Sequence, residues 1–153
     1  MLQQVCESIH NFFIQSPNPG AYTIQGGTIS PLPALVEGQR IWIVGSAMND
    51  GVYTYHQAGI TNDDETDSAD LADETFNGSV CALAIPRDLI ALSKEISDWV
   101  AANGEALNSP YTSESFGGYS YTKATASGAD AGGALTWQNQ FKSRLNPYRK
   151  VSL

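Results

Sequence analysis

Leu2, Val5, Cys6, Ile9 and Phe13 recur at the three- and four-residue spacing of one helical face, so the chain should open on an amphipathic helix. The breaker run Ser16-Pro17-Asn18-Pro19-Gly20 ends it. The texture then changes. Ala21 to Ile29 alternates loosely around Gly26-Gly27, and Arg40 to Val44 and Gly51 to His56 are short runs rich in β-branched and aromatic residues. Between those two runs lies Gly45 to Asp50, and Asn49-Asp50-Gly51 is strong turn chemistry, which predicts an antiparallel pair. A polar loop follows from about Thr61 to Glu74. Phe76-Asn77-Gly78-Ser79 then reads as a turn into a buried strand, Val80 to Ile85. Pro86 opens the clearest helix. Ile85, Leu89, Leu92, Ile96, Trp99 and Val100 make one apolar stripe, Asp88, Lys94, Glu95 and Asp98 lie outside it, and Asn103-Gly104 is the stop. A last helix is predicted from about Leu135 to Leu145, led in by the flexible Gly128 to Gly133 and followed by Pro147 and a tail to Leu153.

These elements predict an α+β fold: a small helical bundle of three main helices with a β-rich insertion between the first and the second. A single domain spans 1–153, with the helical frame at 1–16 and 86–153 and the insertion at about 20–85. A hydrophobic fraction of 42% over 153 residues supports an ordinary core without disulfide or metal. Cys6 and Cys81 are far apart in sequence, and each is flanked by apolar residues, so both read as reduced core positions. The opening MLQQVCESIHNFF lacks the marks of a signal peptide, and no apolar run approaches the roughly 20 residues that cross a bilayer, so a soluble protein without a membrane partner is expected.

Charge sharpens this. A net charge of −8 argues against wrapping nucleic acid along a broad face, and no sequence-specific nucleic-acid contact is expected. Seven of the sixteen acids fall between Asp63 and Glu74, while Lys142, Arg144, Arg149 and Lys150, four of the eight bases, lie in the last twelve residues. An acidic loop and a basic tail suit contacts between neighbouring copies, although most charge runs are only solvated surface. The loop's dense like charge predicts mobility, and Pro147 predicts a tail that leaves the fold extended.

The chemistry-bearing patterns fare poorly. Ser120-Tyr-Thr-Lys123 spells S-x-x-K but has no companion elements, and Gly117-Gly118 disfavours the helix that such a serine needs. Asp63, Asp64, Glu65 and Asp67 invite calcium, yet the alternation of an EF-hand loop fails and position six would be Ser68. His10 and His56 stand alone without zinc spacing, and Asn77-Gly78-Ser79 is better explained as a turn than as a glycosylation site. There is no Walker loop and no dinucleotide fingerprint. No catalytic, cofactor or metal residue is assigned. What remains is "SESFGGYSYTK", Ser113 to Lys123, an aromatic, glycine-hinged, hydroxyl-rich stretch without helical or clean strand periodicity.

Taken together, "GSAMNDGVYTY", "DETFNGSVCALAIPRDLIALSKEISDW", "SPYTSESFGGYSYTK" and "WQNQFKSRLNPYRKVSL" resemble the head–tail connector proteins of long-tailed bacteriophages, also called adaptor or head-completion proteins. The resemblance runs from about Ile41 to Leu153 and implies a structural virion protein with no catalytic residue and no cofactor. It implies a homo-oligomeric ring, usually of twelve subunits, docked under the portal protein at the head–tail interface. That ring is assembled in the host cytoplasm and is the platform for the downstream neck or tail protein. Connectors are small helical bundles, and this chain departs from them by about sixty strand-like residues. On this reading Ser113, Glu114, Ser115, Phe116, Tyr119 and Tyr121, with Tyr148, Arg149, Lys150, Val151 and Leu153 of the tail, form assembly surface. The competing readings are a head-closure or tail-terminator subunit, a small hydrolase using Ser46 or Ser120, and a ligand- or glycan-binding module built on Trp42, Tyr53 and Tyr55.

Overall fold

In a computed structural model, residues 1–104 and 136–151 are described throughout, together with the backbone of two strands at 113–116 and 119–122. The frame is a sheet, not a helical bundle. Seven antiparallel strands curl into a half-barrel in the order β3-β2-β7-β4-β5-β6, with β1 also on β7. The strands are β1 (Ile14–Ser16), β2 (Pro19–Gln25), β3 (Thr28–Ser30), β4 (Arg40–Val44), β5 (Gly51–Thr54), β6 (Thr61–Asn62) and β7 (Glu74–Leu83). The expected three-helix frame with a β-rich insertion is therefore overturned: the supposed insertion is the body of the protein.

The reason lies in β7. It pairs with β2 from Pro19↔Ser79 to Ile24↔Glu74 and with β4 from Ile41↔Ala82 to Val44↔Ser79, so it joins the two halves of the sheet. Asn77-Gly78, read as a turn, lies inside this strand, across from Ala21 and Gly20. Gly78 is there because the backbones approach closely. A Cβ on it would stand 2.1 Å from the Val44 carbonyl oxygen, a contact that only glycine avoids. A local turn signal was outweighed by a packing demand from a strand more than thirty residues away.

Sheet alternation separates two faces. Ile24, Ile41, Ile43, Phe76 and Val80 fill the concave side with Ile60 and Leu71 from the loop that crosses it. Val52, Cys81 and Leu83 face the other way, where Phe12 stacks on Trp42 at 3.9 Å and 8°. The helices cover that second face. The expected antiparallel pair is present as β4 and β5. Cys6 and Cys81 are both buried free thiols, and burial pushes Cys6 up to about 12.

Three helical segments pack on one another through Val5, Ile9, Leu89, Leu92, Ile96, Phe141 and Leu145. They are α1 (Leu2–Ser8), α2 (Arg87–Ala102) and a pair of single turns, α3 (Trp137–Gln140) and α4 (Lys142–Leu145), broken at Phe141. The first is shorter than its apolar spacing suggests. It stops at Ser8, and His10 and Phe13 both take positive φ, so Phe13 reaches the cluster from a bent segment rather than from a helix. Only α2 matches its sequence reading at both ends, with Pro86 before it and Asn103 closing it.

Candidate functional site

Two strands within Ser113 to Lys123 form a hairpin pair. Strands β8 (Ser113–Phe116) and β9 (Tyr119–Thr122) pair antiparallel with Ser113↔Thr122, Glu114↔Tyr121, Ser115↔Ser120 and Phe116↔Tyr119 opposite each other. Among the described residues they form a separate two-stranded sheet that does not join the main one. Strand alternation puts positions 114, 116, 119 and 121 on one face, one acid and three aromatics, and the hydroxyl positions 113, 115, 120 and 122 on the other. The pattern is invisible along the chain because the face passes from even positions in β8 to odd positions in β9. Six of the expected interface residues, Ser113, Glu114, Ser115, Phe116, Tyr119 and Tyr121, are thus brought onto one element. Ser120 lies in a strand and not at a helix start, so the S-x-x-K geometry is absent; Lys123 falls outside the described residues.

The end of α2 and the start of α3, which flank the two strands in sequence, are tied together. Trp99 meets Phe141 edge-on, with ring centres 5.8 Å apart at 88°. Arg144 grips Glu95 through both guanidinium nitrogens at 2.8 and 2.7 Å, and that hydrogen bonding holds the Glu95 carboxyl below its usual range. Thr136 caps α3 by accepting the Asn139 N–H at 3.1 Å, and the Asn103 amide donates to the Trp99 carbonyl at 2.8 Å to close α2.

The tail does not leave the fold extended. Asn146–Tyr148 is a turn of 3₁₀ helix, and the chain then runs back along the end of α1. The Lys150 N–H donates to the Ile9 carbonyl at 3.0 Å, the Asn11 amide to the Tyr148 carbonyl at 3.0 Å, and the Arg149 guanidinium to the Ser8 carbonyl at 3.3 Å. Tyr148 packs on the helical cluster. The expectation of a free arm is corrected for these residues, because the carbonyls that α1 exposes by ending early at Ser8 find donors in the tail. Val151 is 72% exposed, and Leu153 lies outside the described residues.

The acidic loop is likewise structured by local partners. The Asp63 carboxylate accepts from the Gln3 N–H at 2.8 Å and the Met1 ammonium at 3.3 Å, so it caps α1 from outside. The Thr66 hydroxyl donates to Asp64 at 2.7 Å, and Glu65 pairs with Arg40 at 3.0 Å. Among the described residues no group of three or more His, Cys, Asp or Glu is arranged to hold a metal ion.

Among the described residues, the Ser46 and aromatic candidates lie in separate clusters. Ser46 donates to Glu74 and accepts the Asn49 N–H at 2.8 Å, while His56 pairs with Glu37 at 2.6 Å, so serine and histidine belong to different clusters. The Ser46 hydroxyl is the chief reason the Glu74 carboxyl sits below its usual range, with help from the Ala47 N–H and Asn49. That cluster clips the loop after β4 to the start of β7. Trp42 is covered by Phe12 on one face of the sheet, whereas Tyr53 and Tyr55 pack against the concave core. One sugar cannot contact all three. Sequence reading also missed a cleft between the start of β4 and the start of α2, whose walls come from three separated segments, 36–40, 83–85 and 87–90. No family model, no curated protein and no solved structure matches this chain.

Proposed function

We propose that this chain is a structural subunit of the neck of a long-tailed bacteriophage. It is a head–tail connector that forms a homo-oligomeric ring, of about twelve copies as in the connectors it resembles, between the portal protein and the next neck or tail protein. The observation that carries the reading is the β8–β9 pair: a two-stranded element with acid and aromatic positions on one face and hydroxyl positions on the other, paired with no other strand among the described residues and flanked in sequence by a braced helix pair. Tyrosine and phenylalanine on such an element supply large contact area with little entropy loss, which suits a surface that is wet in the free subunit and dry in the ring. The sequence segments that resemble connectors include the two strands and both helices that flank them in sequence.

The half-barrel favours a second reading within the same neck. Head-closure and tail-terminator subunits are mainly β, and a curled antiparallel sheet is the larger part of this chain. The two readings differ in where the subunit binds. Purified protein is mixed either with tail-less heads that end at the portal or with portal-free tails, and the particles are imaged by electron microscopy. A connector adds a ring to the portal-ended heads alone. Addition to tails alone selects the tail-terminator reading, and binding to neither overturns the neck assignment.

A further inference from the structure

We infer that Arg40, Thr54 and Thr61 together bind one internal water molecule, and that this water helps to hold the Thr61–Ser68 turn on the sheet. The three residues come from neighbouring strands and share one row. Arg40 of β4 stands opposite Thr54 of β5, and Thr54 stands opposite Thr61 of β6. Alternation puts the row on the face of Trp42 and Val52, away from Ile41 and Ile60. The Arg40 side chain runs along it. Its Nη2 reaches the Glu65 carboxylate at 3.0 Å, and Glu65 belongs to the turn beyond β6 whose ends, Thr61 and Ser68, bridge each other. Strands lie about 4.8 Å apart, so a side chain from β4 that meets Glu65 passes across β5.

Three polar atoms of this row have no bond within the protein. Arg40 Nε, Thr54 Oγ1 and Thr61 Oγ1 are each buried and without a hydrogen-bond partner, and among the described residues no other buried side-chain nitrogen or oxygen is in that condition. Thr54 is 0% exposed, and the Arg40 side chain is 13% exposed. A buried polar group left unpaired forfeits its whole hydration, so such atoms are rare and each calls for an explanation. Three of them coinciding in one row, on cross-strand neighbours, point to a shared partner and not to three separate defects. Bonding capacity identifies that partner. The Nε–H can only donate, whereas each threonine hydroxyl can donate or accept. A water accepts from Nε–H and from one hydroxyl and donates to the other, which makes about the three bonds usual for a buried water. A chloride could accept all three. Glu65 already balances the Arg40 charge, however, and burying a second anion beside that pair, on a chain of net charge −8, costs desolvation without a free cation to offset it. The water also has a structural role to fill. Strand β6 is only two residues long, and a bridge from Thr61 through water to Thr54 and Arg40 adds side-chain bonds to its short ladder.

Thr54→Val keeps the shape of the side chain and removes only its hydroxyl, so the sign of its effect is diagnostic. If the hydroxyl bonds a water, the variant leaves that water short of a partner and should unfold at a lower urea concentration than the wild-type chain. If the hydroxyl is unpaired, the same change relieves a buried polar group and raises the midpoint. A raised or unchanged midpoint therefore overturns the inference. A high-resolution crystal structure of the wild-type chain, grown in sodium bromide, tests the occupant itself and does not depend on the variant folding. The expected result is a density peak within hydrogen-bond distance of Arg40 Nε, Thr54 Oγ1 and Thr61 Oγ1 that gives no bromine anomalous signal. An anomalous peak there replaces the water by an anion and overturns the proposal. So does a structure in which the three atoms bond to protein groups instead, or one in which they surround no density.

Discussion

Replacing Phe141 by alanine should cost about 3–4 kcal/mol, whereas Arg144→Ala, three residues on, should cost less than about 1. The two side chains hold the same junction, between α2 and the last helical turns, by different physics. Phe141 is 6% exposed, packs with Val5, Ile9, Leu92 and Ile96, and meets the Trp99 ring edge-on. Phenylalanine deletions in cores cost about 3–5 kcal/mol, of which an edge contact accounts for some 0.5–1.5. Partial collapse of the neighbouring side chains into the space keeps the loss in the lower half of that range. Arg144 makes two short hydrogen bonds to Glu95, but their side chains are 52% and 54% exposed, and solvent screening limits such pairs to about 0–1 kcal/mol. For a domain of this length each kcal/mol moves the thermal midpoint by about 2–4 °C, so Phe141→Ala should lower it by roughly 6–16 °C and Arg144→Ala by under about 4 °C. Urea unfolding followed by tryptophan fluorescence, with equal slopes for all variants, checks the free energies. Equal costs for the two variants would refute the view that this junction is braced by packing and not by the ion pair.

Gly78→Ala should destabilise by at least about 3 kcal/mol because its Cβ meets the Val44 carbonyl, while Gly104→Ala, with nothing within 4 Å, should be neutral or stabilising by under about 1; denaturation midpoints compare them. Ser46→Ala removes the main cause of the lowered Glu74 pKa and should move that pKa up toward 4.5, read by carboxyl NMR titration. Because the folded value is depressed, the Glu74 contacts stabilise fully above 4.5 and are lost as pH falls through the lowered value, so the variant should show a shallower acid limb below pH 4.5. Deleting Tyr148 to Leu153 should cost about 1–3 kcal/mol, since it strips the hydrogen bonds to Ile9 and Asn11 and the packing of Tyr148; an unchanged midpoint would mean that the tail is held only loosely.

Local signals were legible wherever local physics decided the outcome. The stripe from Leu89 to Val100, with Pro86 before it and Asn103 after it, specified α2, and Asn49-Asp50-Gly51 between two β-branched runs specified the β4–β5 pair. Both depend on periodicity and on turn chemistry within a dozen residues. The candidate assembly residues 113–121 were also picked out by composition alone, but not their arrangement. Their faces exist only once the register Phe116↔Tyr119 is set.

What the chain could not disclose was decided at long range. Asn77-Gly78 has the chemistry of a turn, and it became the middle of the central strand because β2 and β4 each supply a row of backbone partners and need a residue without Cβ between them. The first helix was read through Phe13, and it ended at Ser8 because the segment after it is bonded by the tail and by the end of β7, where the Ala84 N–H donates to the Phe13 carbonyl. The acids of 61–74 looked like a solvated run until Met1, Gln3, Thr66 and Arg40 came within reach. The cleft beside Arg40 and Arg87 is a splay between strands that pair elsewhere along their length, so no stretch of sequence contains it. Helix stripes and turns are properties of neighbours along the chain. Sheet order, close backbone approach and a shared cleft are properties of neighbours in space, and for this protein those made a curled sheet of what read as a helical bundle.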